Sequence, residues 1–563
     1  MKNPHSIFIP ILVVAAGLLP ITTLAQNNRE KDLQAQIDAL KKEMADMKKT
    51  QAYQAQAAEP RDLQQGTGQD MGGTTEQESA IEDANFDVGS RLNVLERNQQ
   101  VAAEAARKEK AAATSVTFDE KGFNVRSGDG QHAFRGGTLL QLDDRQFVNE
   151  ANDSANQFIV RRARINLSGT LFKFCDFRFT PDFGLRDAQN LQNTAIIADA
   201  WLNFKAIPEA QVQVGKFKPP LGLEMLQSDQ NTAFMERSAT TQLQPSRALG
   251  LQVHGLLFAD TLSYAVGVFS ESPNNWTQTV DTQLGYGIAA RLFARPFLND
   301  KDEVTGEKDA LAGFGFGVAG SYCNAFDPSV SSNGSDNNAV NNGLNSYASD
   351  AGNTFFNWTG SSGTSNGIAA RDGAIYRIIP QAFYYYGPFG IQAEYILQSQ
   401  GVELVGGGAT NPQIRDTSWG WQTTLTYNLT GEDNSFDSLK PAKNFDFFMT
   451  DDEDAVGLWQ IAFRADQIQL DEDLFQPLPG LPNRTLATSG NLNSAQTNAR
   501  GFNSYSLGFN WYLNPNIRAL ANFVYTQWYY ASSPSTGGIG VPANNSFITN
   551  NEFGITTRIQ LFF

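Results

Sequence analysis

The sequence predicts an all-β transmembrane barrel of about sixteen antiparallel strands, preceded by a signal peptide and a short periplasmic helical region. Three observations carry that prediction. The first is the last stretch, Asn551 to Phe563, where Phe553, Ile555, Thr557, Ile559, Leu561 and Phe563 alternate with Gly554, Thr556, Arg558, Gln560 and Phe562. A period of two gives a strand two faces, and here one suits lipid and the other water. The second is that the same period recurs from about Val116 onward, in segments joined by alternately short and long connections. The third is that 41% of the 563 residues are hydrophobic, yet no run beyond the N-terminal segment reaches the ~18 apolar residues that a spanning helix requires. A mean hydropathy of −0.35 agrees with strands whose alternate residues face water.

The elements follow in order. Residues 1–25 read as a secretory signal: Lys2 and His5 precede an apolar run from Ile7 to Leu24, and Thr23 and Ala25 stand three and one residues before the expected cut. Residues 26–58 read as a coiled-coil segment, because Leu33, Ile37, Leu40, Met44 and Met47 are spaced 4, 3, 4, 3. Three heptads also suit a solvated helix that merely tethers. Residues 59–115 read as a linker, rich in Gln, Gly and Thr as far as Ala80, with a second helical stretch from about Val88 to Ala113. Residues 116–563 form the barrel domain.

Within that domain a short strand is expected near Val116–Val125. The wall strands are then expected at Ala133–Asp143, Ile159–Leu171, Asp176–Phe183, Ile196–Lys205, Gln211–Phe217, Leu249–Phe258, Thr261–Phe269 and Leu284–Arg295. The second half continues at Ala312–Tyr322, Ile375–Tyr386, Phe389–Gln400, Ser418–Leu429, Gly457–Leu470, Tyr505–Leu513, Ile517–Tyr529 and Glu552–Phe563. Short links such as Phe172–Cys175 and Gly387–Pro388 are the periplasmic turns, and long ones such as Asn324–Asp372 are extracellular loops. Pro296–Ala310 and Thr430–Val456 are longer than periplasmic turns should be. Sixteen tilted strands leave an aqueous channel. The two cysteines, Cys175 and Cys323, fall at opposite ends of this barrel, too far apart to bridge.

A formal charge of −17 argues against a nucleic-acid partner. No metal site, cofactor or enzyme is expected: there are three histidines, one of them in the signal, and no Gly-x-Ser-x-Gly. His254 is the sole lumen candidate for a catalytic base, and a lone histidine is more often structural. In an aqueous pore the functional residues are the inward charges. Strand phase points Arg162, Arg164, Arg178, Lys205, Arg291, Arg377, Arg464, Arg518 and Arg558 inward, against the acids Asp143, Asp176, Asp182, Asp199 and Glu394. Guanidinium groups keep their charge and fork onto oxyanions, so this set reads as an anion path, or as arginines paired with lumen acids. Arg161 falls in phase with Ile159, Ala163, Ile165 and Leu167, which places it toward lipid near the extracellular rim, because an arginine at the bilayer midplane costs about 2–4 kcal/mol. Lys216 and Lys218 flank a break in alternation at Gly215, so their direction cannot be read from phase.

Six blocks carry a resemblance: Phe158 to Gly169 (FIVRRARINLSG), Asp199 to Phe204 (DAWLNF), Val214 to Glu224 (VGKFKPPLGLE), Phe234 to Ser238 (FMERS), Leu429 to Asp433 (LTGED) and Leu507 to Pro515 (LGFNWYLNP). In this order, on a barrel pattern, they resemble the phosphate-selective porin O and P family of outer-membrane channels. The resemblance covers roughly Val116 to Phe563. It implies a trimeric sixteen-stranded barrel whose third loop, here about Lys218 to Arg247, folds into the lumen. It also implies that Arg161 and Arg162 match the family's vestibule arginines, while Lys216 and Lys218 lie close to the position of the family's third-loop lysine and could substitute for it. Phosphate-selective members carry a lysine after the Gly-Leu-Glu of that loop, where this chain has Met225.

The expected function is therefore an outer-membrane channel for small anions such as phosphate or polyphosphate, assembled as a homotrimer in outer-membrane lipid. Two other readings stand beside it. One is a general, weakly selective porin. The other is a structural protein whose N-terminal helices hold the outer membrane to the cell wall.

Overall fold

The computed structural model describes residues 113–148, 156–184, 196–270, 286–300, 309–325, 347–352, 354–356, 367–370, 373–405, 413–447, 455–476, 499–529 and 551–563, together with scattered helical positions between 35 and 104. The chain divides into two units, Met1–Thr114 and Ser115–Phe563. In the first, the described positions between 35 and 49 and between 90 and 104 have helical backbone, and Lys41 pairs with Glu96 at 3.0 Å. The signal segment, the heptad seam and the Glu59 to Ala80 linker lie outside the described residues.

The second unit opens with a hairpin, β1 (Ser115–Asp119) and β2 (Gly122–Arg126). The first half of the wall is β3 (Ala133–Phe147), β4 (Gln157–Leu171), β5 (Cys175–Asp182), β6 (Ile196–Phe204), β7 (Gln211–Phe217), β8 (Ala248–Leu257), β9 (Leu262–Ser270), β10 (Tyr286–Ala294) and β11 (Phe314–Ala325). A long loop carries β12 (Tyr347–Ala348), β13 (Thr354–Phe356) and β14 (Gly367–Ala370). The wall resumes with β15 (Gly373–Tyr386), β16 (Phe389–Val405), β17 (Gln413–Asn428), β18 (Leu458–Gln469), β19 (Gly501–Asn514), β20 (Ile517–Tyr529) and β21 (Asn551–Phe562). Each wall strand pairs antiparallel with the next, and β21 closes the ring on β3, from Gly554 opposite Phe147 to Phe562 opposite Leu139. Sixteen strands thus form a closed sheet with no free edge, as a lipid environment requires.

Side chains obey the period-two pattern. On β21, Glu552, Gly554, Thr556, Arg558, Gln560 and Phe562 are buried toward the lumen, while Ile559 is 62% exposed on the outer face. On β18, Trp459 and Phe463 face outward, and Gln460, Arg464 and Asp466 are buried inside. Cys175 and Cys323 are both buried and are not joined by a disulfide. Among the described residues no helix is long and apolar enough to cross a membrane.

The structure differs from the sequence expectations at four places. The Val116–Val125 strand is a hairpin: Gly122, at φ 93°, turns the chain, and β2 pairs with β3. The segment beginning at Ala312 starts instead with a 3-10 turn, Ala310–Gly313, before β11. The connection after Asn428 enters the lumen: Gln227 Nε2 donates to the Phe436 carbonyl at 2.8 Å, and the Phe436 ring stacks on Phe383, 5.5 Å between centroids. It exceeds the length of a turn because it is part of the channel's filling.

The fourth correction is at Arg161. Gln141 faces Arg162 but Leu142 faces Val160, so Arg161 is the extra residue of a β-bulge. A bulge shifts phase by one residue. Val160 and Phe158 therefore take the outer face, both exposed, and Arg161 joins Arg162 inside. The change avoids placing a guanidinium against lipid.

Closure also depends on a close backbone approach. Thr138 N–H donates to the Phe563 carbonyl at 3.0 Å, and Phe563 N–H returns a bond to Thr138 at 3.1 Å. A Cβ on Gly137 would sit 2.1 Å from that Phe563 oxygen. Gly137→Val should therefore cost about 1–3 kcal/mol, the scale of overpacking. The expected result is a lower temperature for the heat-induced mobility shift in detergent gels; an unchanged midpoint would mean that the terminal clasp does not contribute to closure.

Candidate functional site

Residues 218–247 leave β7 and turn into the lumen before returning to β8, so the third loop lies inside the barrel. It contains a short helix, α1 (Leu223–Leu226), and a 3-10 turn, Ala239–Leu243. Leu221, Leu223, Phe234, Met235 and Leu243 are buried. A loop in such a place must find partners for its backbone polar groups. Wall side chains supply them. Arg518 Nη1 donates to Thr232 O at 2.9 Å, Arg558 Nη1 to Met235 O at 2.5 Å, and Arg464 Nη1 to Glu236 O at 3.0 Å. Arg377 Nε donates to Leu243 O at 3.0 Å and Gln381 Nε2 to Leu221 O at 3.1 Å. In the other direction, Leu223 N–H donates to Glu394 Oε2 at 2.7 Å.

Two carboxylates of the loop gather most of the remaining cations. Glu236 accepts from Arg161 Nε at 2.7 Å, Arg145 Nη2 at 3.1 Å, Arg558 Nη2 at 3.3 Å and Arg162 Nη2 at 3.4 Å. Asp229 pairs with Arg164 and Arg237, and lies 3.7 Å from Arg247 and 3.9 Å from Arg162. The network reaches the wall through Arg558–Asp143 at 2.6 Å, Arg164–Asp182 at 2.7 Å and Arg247–Asp199 at 3.0 Å. Burial pushes the Asp229 and Glu236 carboxyls up, but the surrounding guanidiniums outweigh it and hold both well below the usual carboxylate range. Lys218 goes the other way: burial, with Arg237 beside it, pushes its ammonium well below the ordinary lysine range, and its Nζ donates to Gln227 O at 2.7 Å.

A second charge cluster sits behind the loop. Arg464 pairs with Asp350 at 2.7 Å, Asp466 at 3.5 Å and Glu224 at 3.6 Å, and its guanidinium lies 4.6 Å from the Phe234 ring centre. Asp350 belongs to the extracellular loop between β11 and β15, which also enters the lumen and accepts Ala239 N–H at 2.8 Å. One arginine thus ties β18, the third loop and that extracellular loop together.

Below the third loop a cavity of ≈ 630 Å³ opens toward the short-turn end. Its charged lining is Lys121, Arg135, Arg164, Arg178, Lys218, Arg247 and Lys440 against Glu120, Asp199 and Asp229. The predicted residues therefore separate by role. Arg161, Arg162, Arg164 and Arg558 converge on the two loop carboxylates, and Arg377, Arg464 and Arg518 hold loop backbone. Arg291 donates to Gln381 at 3.0 Å and lies over the Phe293 ring, away from that network. Arg178 stands exposed in the cavity, 5.8 Å from the Trp201 ring centre. Lys205 pairs with Asp176 at 2.8 Å beside a turn. Lys216 and Met225 are buried, and neither lines the cavity. His254 meets Asn203 Oδ1 at 3.0 Å.

Arg145, Arg237, Arg247, Asp229 and Glu236 escaped the sequence reading. Arg145 was legible: it continues the lumen phase of Gln141 and Asp143 on a strand that runs past the expected end. The other four lie in an irregular loop, where no period reports direction.

Removing one partner of a buried charge group costs about 3–5 kcal/mol, because the opposite charges stay buried without compensation. Arg464→Ala should therefore lower the thermal midpoint of the barrel and expose the third loop to protease. A protected loop and an unchanged midpoint would show that the cluster does not anchor it.

A sequence profile described as phosphate-selective porin O and P matches residues 134–536, well over half of the chain. Porin O of Pseudomonas aeruginosa is 24% identical over 458 residues, covering 78% of this chain and 91% of that protein. Among solved structures, an anion-selective porin from Comamonas acidovorans is similar at a TM-score of 0.41 and 8% identity, covering 77% of this chain and 100% of that one. The outer membrane channel DcaP of Acinetobacter baumannii is similar at 0.42 and 8% identity, covering 77% and 97%. With the profile match and the closed sixteen-stranded wall together, the chain belongs to the phosphate-selective porin O and P family and is a β-barrel of the Gram-negative outer membrane.

Proposed function

We propose that this protein is a passive channel for small anions, and that it works as a homotrimer. The observation that carries the reading is the lining of the cavity beneath the third loop, where six cationic side chains, Lys121, Arg135, Arg164, Arg178, Arg247 and Lys440, together with the Lys218 amine, face three acidic side chains. The whole chain carries −17, so the cationic lining is a local arrangement and does not follow from composition. The acids that offset Arg464 are buried behind the loop, away from the cavity lining. Low-dielectric walls of one sign concentrate counter-ions. Phosphate and polyphosphate fit this class. Strict phosphate selectivity is not part of the proposal, because the position that would hold the family's lysine is Met225, buried away from the cavity.

A specific observation favours a second reading, a general porin with weak selectivity: Glu236 and Asp229 neutralise much of the guanidinium charge gathered at the third loop. Arg135 and Arg178 separate the two readings, since among the described residues neither has an ion pair, and both line the cavity. Arg135→Glu combined with Arg178→Glu reverses local charge without breaking the loop network. In a planar bilayer under a salt gradient, an anion channel should shift its reversal potential toward cations. The shift should be largest near 0.01 M salt, where the Debye length is about 30 Å. An unchanged potential with an intact barrel would favour the general porin.

The coiled coil of residues 26–58 is proposed to add to trimer stability, its seam residues each burying area worth on the order of 1–3 kcal/mol. Deleting Asn27 to Gln54 should lower the temperature at which trimers dissociate on detergent gels. If the temperature stays the same, the segment is a tether.

A further inference from the structure

We propose that Glu236 is a resident anion: its carboxylate occupies an oxyanion site made by four lumen guanidiniums at the third loop, and a passing solute must displace it. Glu236 then determines how loosely the channel holds its solutes. The proposal rests on the anion-channel reading above.

Four guanidiniums from three wall strands converge on this one carboxylate. Oε1 accepts from Arg161, Arg145 and Arg558, and Oε2 from Arg161 at 3.2 Å and Arg162 at 3.4 Å. The pairing with Arg161 is bidentate, the geometry with which a guanidinium holds a carboxylate or phosphate. Arg161 reaches the site only because of the bulge that turns it inward. Four donors exceed what anchoring a loop carboxylate requires, and they suit a tetrahedral oxyanion equally well.

Two features distinguish Glu236 from the other acids of this network. Its side chain keeps 19% of its surface exposed, against 13% for Asp199, 8% for Asp182, 3% for Asp229 and 0% for Asp143, so it is the network carboxylate most open to solvent. Its backbone, moreover, has a hold that does not run through the carboxylate: Arg464 binds the Glu236 carbonyl and makes no bond to its side chain. The side chain can therefore swing away while the loop stays in place. Arg162 also lies within 3.9 Å of Asp229, which gives a released guanidinium a second partner and shares the cost of exchange. A tethered competitor lowers apparent solute affinity by the fraction of time it leaves the site open.

The test uses sulfate as probe, on the full-length protein in planar bilayers. Glu236→Gln keeps the shape and removes the charge, and should lower the sulfate concentration that halves chloride current by about tenfold or more. An equal or higher half-blocking concentration would overturn the proposal. Reversal potential measured in the same bilayers reports the anion-channel reading separately, so failure of one is not mistaken for failure of the other. Should the variant not assemble, the wild type decides: carbodiimide-driven amine labelling of Glu236 should rise with sulfate as the carboxylate is displaced. Labelling that does not respond to sulfate would overturn the proposal as well.

Discussion

The inward arginines of the wall hold the third loop inside the barrel, and the rest of the channel's architecture depends on that grip. A loop placed in a narrow lumen loses water from its carbonyls and carboxylates at once, and each loss must be compensated. Arginine suits both tasks, since its fork can serve a carbonyl and a carboxylate together. Arg558 does so, binding Met235 O with one nitrogen and Asp143 with the others. Arg464 likewise binds Glu236 O and Asp350. The same residue type that suits an anion path is thus first used as scaffolding.

This double use explains how an acidic protein keeps a basic cavity. Buried guanidiniums are met by acids, or, as at Arg518, by loop carbonyls, since an unpaired buried charge is costly. In the cavity below the loop, Arg135 and Arg178 are exposed, and among the described residues neither has an ion pair. The wall arginines that hold the loop backbone and these two that line the cavity are therefore separated by burial.

The short-turn end adds a further layer. The β1–β2 hairpin tip is fastened there by Lys440 to Glu120 at 2.5 Å and by Asn516 Nδ2 to the Glu120 carbonyl, while Phe118 meets Phe563 edge to face at 6.0 Å. Lys440 comes from the long connection after β17, and both elements line the cavity. A connection that would be only a turn in an empty barrel has become part of the pore wall.

Strand number, order and lumen phase were legible in the sequence, because alternation between lipid and water is written locally, residue by residue. Arg558, Arg518 and Arg464 could be placed inside from phase alone. Phase failed at Arg161, because a bulge is decided by the register with the neighbouring strand, and its phase-shifting residue looks like any other in the sequence. Which carboxylates the arginines would meet was equally out of reach. Glu236 and Asp229 lie in a loop without periodicity, and their partners are up to several hundred residues away along the chain. Local chemistry determined the barrel and the supply of positive charge. Only the folded loop decided which charges are spent holding it and which are left facing water, because that division depends on distances and hydration that exist only once the barrel has closed.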